Sequence, residues 1–240
     1  MKNKISTILT VYKRQKYLKD QIKCIENQSI SSDIFINWNT KSNSSFKEKY
    51  PGLSYINTND LYALHNRFYS ALALDTPYVF ICDDDVVPGS LYLEKCLSFL
   101  KNKKNKALIG IYGMIFNRNE TKYKVKTRIG AVHNNLPSKP KKVHMVGQGY
   151  FMHKSILHIF AASKKISESN EDISLAFTLY KKNIPIYVLD VDKKNINTYP
   201  DIKFGKRGSD KVALWKSSNH QKSRDKLMND LTLNKNWKFS

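Results

Sequence analysis

Pro77 introduces an unbroken apolar run, Tyr78-Val79-Phe80-Ile81-Cys82, and three aspartates follow at once, Asp83-Asp84-Asp85. Such a run, bounded by turn formers, fits a central strand covered on both faces. Carboxylates clustered at its end repel one another, which is costly unless a cation neutralises them. Oxygen ligands suit Mn2+ or Mg2+, hard ions that keep positions open for phosphate oxygens. The ends of parallel strands are also where open α/β sheets take their ligands. The alternative is a solvated turn that leads into a helix, and the run alone does not separate sugar transfer from other phosphate chemistry. Pro88 and Gly89 turn the chain, and Ser90 is placed to cap a helix over 91–100.

The apolar spacing elsewhere alternates between strand and helix. Residues 5–11, 33–38 and 53–56 read as strands; 15–27, with Leu18, Ile22 and Ile25, and 61–74 read as helices. That succession implies parallel pairing in an α/β fold whose sheet is covered by helices. Two further apolar runs, 107–116 and 143–153, flank a polar and basic stretch, 117–142, expected to be a mobile loop. Ile173, Phe177 and Tyr180 stand at helical spacing, 184–191 reads as the last strand, and patterning is weak from Thr198 until 225–233. A chain of 240 residues buries one core, so one domain over 1–240 is expected.

With 41 Lys and Arg against 20 Asp and Glu, the net charge is +21 and the pI near 9.7. Such a field attracts nucleic acid, an anionic membrane surface or a phosphorylated substrate. The lysines are scattered (Lys101, Lys103, Lys104, Lys106; Lys139, Lys141, Lys142), a generally basic surface rather than one base-reading element. A compositional bias with no partner explains them equally well. Cys24, Cys82 and Cys96 are odd in number and widely spaced, which argues against a disulfide framework or a zinc site and points to a reducing cytosol. The apolar stretch of the first residues is too short and interrupted for a signal peptide, and no run approaches the ~20 apolar residues of a membrane span. Any membrane contact is expected to be peripheral.

A second acidic site, Glu171-Asp172, opens a helix, where the helix dipole alone favours negative charge. The functional reading has Asp172 facing a cleft, as base, orienting group or stabiliser of an oxocarbenium-like centre. Arg14, Asn66-Arg67 and Arg224 are candidates to grip phosphate, since guanidinium groups bind phosphate oxygens in pairs. His220 is a candidate metal ligand, although a lone His is more often structural.

Taken in order, these segments resemble the exostosin-like α-N-acetylglucosaminyltransferase domain of heparan sulfate synthesis, and more loosely bacterial transferases that build heparosan-type capsules. The likeness runs through Ile8 to Arg14 (ILTVYKR), Trp38-Asn39, Asn66 to Phe68 (NRF), Asp83 to Val86 (DDDV), Gly147 to Lys154 (GQGYFMHK), Asn170 to Ile173 (NEDI), Gly208 to Asp210 (GSD) and His220 to Arg224 (HQKSR). The resemblance implies a GT-A fold, Rossmann-like with a mostly parallel central sheet, a donor-binding part over about 1–116 and an acceptor-side part over about 143–240. It also implies that Arg14, Asn39, Asn66 and Arg67 contact the nucleotide, Asp83 and Asp84 the ribose and sugar, and Arg224 the diphosphate. By the resemblance Asp85 would hold the metal and Asp172, with Glu171 beside it, would stand at the anomeric carbon; Asp83 and His220 are further metal candidates by their residue types. A UDP-sugar donor, Mn2+ (or Mg2+) and retention of anomeric configuration follow from the same likeness. Family cysteines near the E-D motif and the tail are missing, Asn170 stands where the family has Cys, and 117–142 has no alignable counterpart.

The sequence therefore reads as a metal-dependent glycosyltransferase that moves a sugar, N-acetylhexosamine by the resemblance, from a UDP-sugar to a glycan hydroxyl in surface polysaccharide synthesis. Its acceptor would be a glycan or lipid-linked glycan, and its location cytoplasmic, peripheral at the inner face of the membrane. Two rivals stand beside it. A metal-dependent nucleotidyltransferase would be marked by a glycine-rich phosphate loop, and residues 5–14 contain no glycine. A non-enzymatic nucleic-acid-binding protein explains the charge but not the aspartates, so no nucleic acid is expected.

Overall fold

The computed structural model describes residues 4–11, 15–38, 50, 52–57, 63–163, 170–202 and 216–239. Nine strands form one sheet: β1 (Ile5–Val11), β2 (Asp33–Trp38), β3 (Ser54–Asn57), β4 (Tyr78–Cys82), β5 (Leu108–Phe116), β6 (Val125–Ile129), β7 (Lys141–Val143), β8 (Met145–His153) and β9 (Ile186–Val188). Their order is β3-β2-β1-β4-β8-β5-β9-β7, with β6 paired to β5. The first four strands pair in parallel, β1 being followed by α1 (Leu18–Glu26) and β3 by α2 (Ala63–Leu72) as such crossovers need. β8 enters antiparallel between β4 and β5, while β9 lies parallel to β5.

Alternation explains why the apolar run of β4 carries no polar residue. Val79 and Ile81 face one layer, with Ile8 of β1; Tyr78, Phe80 and Cys82 face the other, with Ile5, Leu9 and Val11. The first layer is closed by α2 (Ala63–Leu72), α4 (Lys154–Ala161), α5 (Glu171–Lys181) and α6 (Ser218–Asn229), through Phe68, Phe160, Leu175 and Met228. The second is closed by α1 (Leu18–Glu26) and α3 (Tyr92–Asn102), through Leu18, Ile22, Ile25, Leu93, Cys96 and Leu100.

Two expectations are corrected. Residues 117–142, expected as a mobile loop, hold β6 and the start of β7; Ile129 is buried while Lys126 and Arg128 face out, the half-polar alternation of an edge strand. Ser90 does not cap α3. Its place is taken by Gln28, whose Oε1 accepts from the Leu93 N–H at 3.1 Å. Cys24, Cys82 and Cys96 are not joined in disulfides. Among the described residues no helix is long and apolar enough to cross a membrane.

Candidate active site

Where β4 ends, the chain makes the turn that carries Asp83, Asp84 and Asp85; Asp84 is buried and its neighbours half-buried. Three side chains of the first helical segment hold this turn by its backbone. Gln21, fully buried on α1, donates through Nε2 to the carbonyls of Asp83 (2.7 Å) and Val86 (2.8 Å). Gln28 donates to the Gly89 carbonyl at 2.8 Å, and the Cys24 thiol to that of Pro88 at 2.5 Å. From the other side, residues 197–202 close over the turn: Gly89 N–H donates to Tyr199 O (2.8 Å), Leu91 N–H to Asn197 O (2.9 Å), and the buried Asp201 accepts from Val87 N–H (3.2 Å). Position 89 must be glycine, because a Cβ would fall 2.4 Å from the Asn197 carbonyl oxygen. Replacing Gln21 by Leu is expected to cost about 1–3 kcal/mol in all, since it leaves the Val86 carbonyl only the weak Cys82 thiol at 3.9 Å and the Asp83 carbonyl the Val86 N–H at 3.4 Å and the Cys82 thiol at 3.6 Å. Urea unfolding should therefore show a lower midpoint with an unchanged m-value.

Two arginine–carboxylate pairs flank the turn. Asp83 continues the odd-numbered face of β4 toward α2, where Arg67, 3% exposed, bonds it through Nη1. Through Nη2 the same guanidinium reaches Glu171 Oε1 at 2.8 Å at the start of α5. It also lies over the Phe68 and Tyr150 rings, 5.4 and 5.2 Å from their centroids. Burial alone opposes the Arg67 charge, but Asp83, Tyr150 and Glu171 together outweigh it and hold the group protonated. The second pair joins α6 to α5: Arg224 Nη2 donates to Asp172 Oδ2 at 2.5 Å, and Asp172 Oδ1 accepts from the Ile173 N–H at 2.8 Å. Arg224 lies 3.9 Å from the centre of the Tyr123 ring, and Tyr123 is fixed by its N–H to Asp225 at 2.8 Å. Arg224 Nη1 lies 3.2 Å from His220 Nε2, and because a guanidinium only donates, His220 accepts there. Burial, reinforced by Arg224, lowers the His220 pKa below its ordinary 6.5.

Glu171 is turned inward, 5% exposed. Burial, the largest influence, pushes its carboxyl up to about 7, with Arg67 opposing and Asp172 and Asp83 adding to the rise. A carboxyl that folds with a raised pKa keeps its proton where the unfolded chain has released it, so its contribution to stability falls as pH rises from about 4.5 to about 7 and levels off above. In Glu171→Gln that decline should vanish: the variant's stability relative to wild type should rise across this interval, as denaturant titrations at several pH values will report.

The expected site residues are thus brought together in part. Asp83, Arg67 and Glu171 form one cluster, and Asp172, Arg224 and His220 another. Arg67 and Arg224, expected to meet the nucleotide and the diphosphate, both engage carboxylates. Glu171, expected beside the reacting carbon, is a buried partner of Arg67 instead. Asn66 is half-buried on α2 next to Arg67. Arg14, Asn39 and residues 208–210 lie outside the described residues.

Among the described residues no three His, Cys, Asp or Glu side chains gather as a cage, because Asp83 is turned to Arg67 and His220 to Arg224. Mg2+ and Mn2+ commonly take only one or two carboxylates, with phosphate and water oxygens completing the octahedron, and the Asp83–Asp85 turn fits that partial set. Sequence reasoning missed Gln21, Tyr123, Tyr150, Gln148 and Asp201. Only Gln148 carried a local signal, glycine on both sides.

Some buried polar atoms have no partner among the described residues: Arg224 Nε by Asp172, and Thr10 Oγ1, Arg67 Nε and Gln148 Oε1 near the end of β4. Thr10 stands there because Leu9 pairs with Cys82. Buried polar atoms are normally satisfied, so polar atoms left over on either side of the end of β4 suit a polar ligand.

The family model described as glycosyl transferase family 64 domain matches residues 5–234. No curated protein sequence matches significantly. Among solved structures, S. aureus TarS 1–349 is similar with a TM-score of 0.55 at 14% identity, over 79% of this chain and 58% of that one. A longer S. aureus TarS chain gives 0.53 at 15% identity, over 79% and 35%. CMP:2-keto-3-deoxy-manno-octonic acid synthetase complexed with CTP gives 0.51 at 9% identity, over 79% and 90%. At these identities the likenesses speak for the fold alone, and this chain spans little more than half of the shorter TarS chain.

Proposed function

We propose, from the premise that the chain belongs to the glycosyl transferase family 64 domain family and is a glycosyltransferase, that its donor is a UDP-sugar and its acceptor a hydroxyl of a surface glycan. The observation that carries this reading is the convergence of the two arginine–carboxylate pairs beside the aspartate turn at the end of β4. A transferase of this kind must bind a diphosphate, offset charge on its departure and hold a carboxylate at the reacting carbon. In this reading Asp85 and Asp83 hold a divalent ion, which when bound neutralises diphosphate oxygens and acts as Lewis acid toward the leaving group. Arg67 keeps Asp83 oriented, and Glu171 keeps Arg67 in place. Asp172, fixed by Arg224 and the Ile173 N–H, is the carboxylate beside the anomeric carbon. Retention of configuration, an N-acetylhexosaminyl group and a lipid-linked acceptor at an anionic membrane face complete the proposal; the last is supported by the +21 charge, to which each basic residue near such a leaflet contributes roughly 1 kcal/mol.

Thermal melting with nucleotides, with and without Mn2+, tests the reading. UDP at about a hundred times its dissociation constant with Mn2+ should raise the melting temperature by roughly 5–10 °C, and chelation should abolish the shift. Stabilisation by CTP in place of UDP would favour the nucleotidyltransferase reading. A UDP shift that ignores chelation would remove the metal from the proposal.

A further inference from the structure

One residue of the site adopts a backbone its own chemistry disfavours. Gln148 has φ of 67°, the left-handed region that costs an ordinary side chain about 1–2 kcal/mol. Of the other non-glycine residues with positive φ among those described, Asn105, Asn134, Asn183 and Asn236 are the type that tolerates it best, and with Lys104 they lie in turns or just past the ends of secondary structure. Gln148 alone sits within a strand.

The cause is a bulge. On β5 the pairing with β8 advances from Gly110 to Tyr112, two residues, while on β8 it moves from Tyr150 to Gly147, three. β8 thus carries one extra residue there, and bulges of this sort re-aim side chains near active sites. Gly149 lets the strands close around the bulge, since a Cβ there would fall 2.4 Å from Ile111 Cδ1. The bulge lies against the aspartate turn, because the Gln148 carbonyl accepts from the Asp83 N–H at 3.0 Å. Its side-chain Oε1 is buried and has no partner among the described residues.

A position needing left-handed backbone is met most cheaply by Gly or Asn. A longer side chain held there at a cost points to a use for its reach, as strained residues at functional sites do. The unmatched atom is an acceptor. It therefore suits a hydroxyl or amide N–H and not a diphosphate, which offers only acceptors. β8 also flanks β4 on the side opposite β1, away from Thr10.

We propose that Gln148 reads the donor: its Oε1 accepts a hydrogen bond from a hydroxyl or N–H of the transferred sugar, making it a specificity-determining residue. This rests on the UDP-sugar reading above. The test compares wild type with Gln148→Asn, which suits the left-handed backbone better and shortens the reach, and Gln148→Gly, which relieves the strain and removes the amide. Calorimetric affinities are measured with Mn2+ for UDP and for whichever UDP-hexose or UDP-N-acetylhexosamine the wild type hydrolyses fastest in a panel. Both variants should bind UDP as wild type does and melt no lower than it, yet bind that UDP-sugar about tenfold more weakly and discriminate less among the panel. Unchanged UDP-sugar affinity and panel preference in both variants overturns the assignment, as does an equal loss of UDP binding, which would make Gln148 structural. A wild type that binds neither UDP nor any UDP-sugar removes the UDP reading itself, and this assignment with it.

Discussion

Arg67→Met is expected to destabilise the fold by about 3–5 kcal/mol at pH 8, the usual cost of removing one partner of a buried ion pair. The loss has two sources. Glu171 is left buried without its cation, and Asp83, only 27% exposed, loses the group that fixes its direction. The penalty should shrink toward pH 5, because Glu171, already pushed up to about 7 by burial, escapes by taking a proton. Denaturant midpoints at the two pH values check this. Adding Glu171→Gln to Arg67→Met should recover part of the loss, since the two residues share one interaction. Equal midpoints for wild type and Arg67→Met at pH 8 would show that the pair contributes nothing.

Asp172→Asn is expected to lower the turnover of sugar transfer by about 10²–10⁴ while leaving Mn2+-dependent UDP affinity within a few-fold of wild type. Asn is isosteric but has a single acceptor oxygen, so it keeps the bond from the Ile173 N–H or the one from Arg224 and not both, and the charge is gone. Calorimetry with UDP, set beside transfer rates, separates the two effects. Parallel loss of both would move Asp172 from the reacting carbon to the donor's diphosphate.

Much of the fold was legible because its signals are local. The run 78–82 is apolar at every position, which happens only when both faces are covered, and the helical spacing of Leu18, Ile22 and Ile25 points to one buried stripe. The insertion of β8 between β4 and β5 was not legible, since strand order depends on contacts distant in sequence. β6 was hidden for another reason: Lys126 and Arg128 dilute the alternation of Val125, Thr127 and Ile129, so an edge strand looks like a loop. For the site, residue types were visible and partners were not. Arg67 and Arg224 read as phosphate ligands because a sequence shows charge without showing what faces it; beside Asp83, 16 residues from Arg67, the facing carboxylates lie 104 and 52 residues away. Tyr123 and Asp201 gave no signal, being single residues in polar stretches that matter only because the chain folds back on α6 and on the aspartate turn.

The division of β4 between two layers has an evolutionary corollary. Deleting a single residue between Tyr78 and Asp83 would carry the leading aspartate across the sheet, from the side of Arg67 to that of α1, and would swap every apolar neighbour as well. Length changes in this stretch are therefore tolerable only two residues at a time, so related chains should keep the same odd-or-even count from the strand's first residue to the first carboxylate.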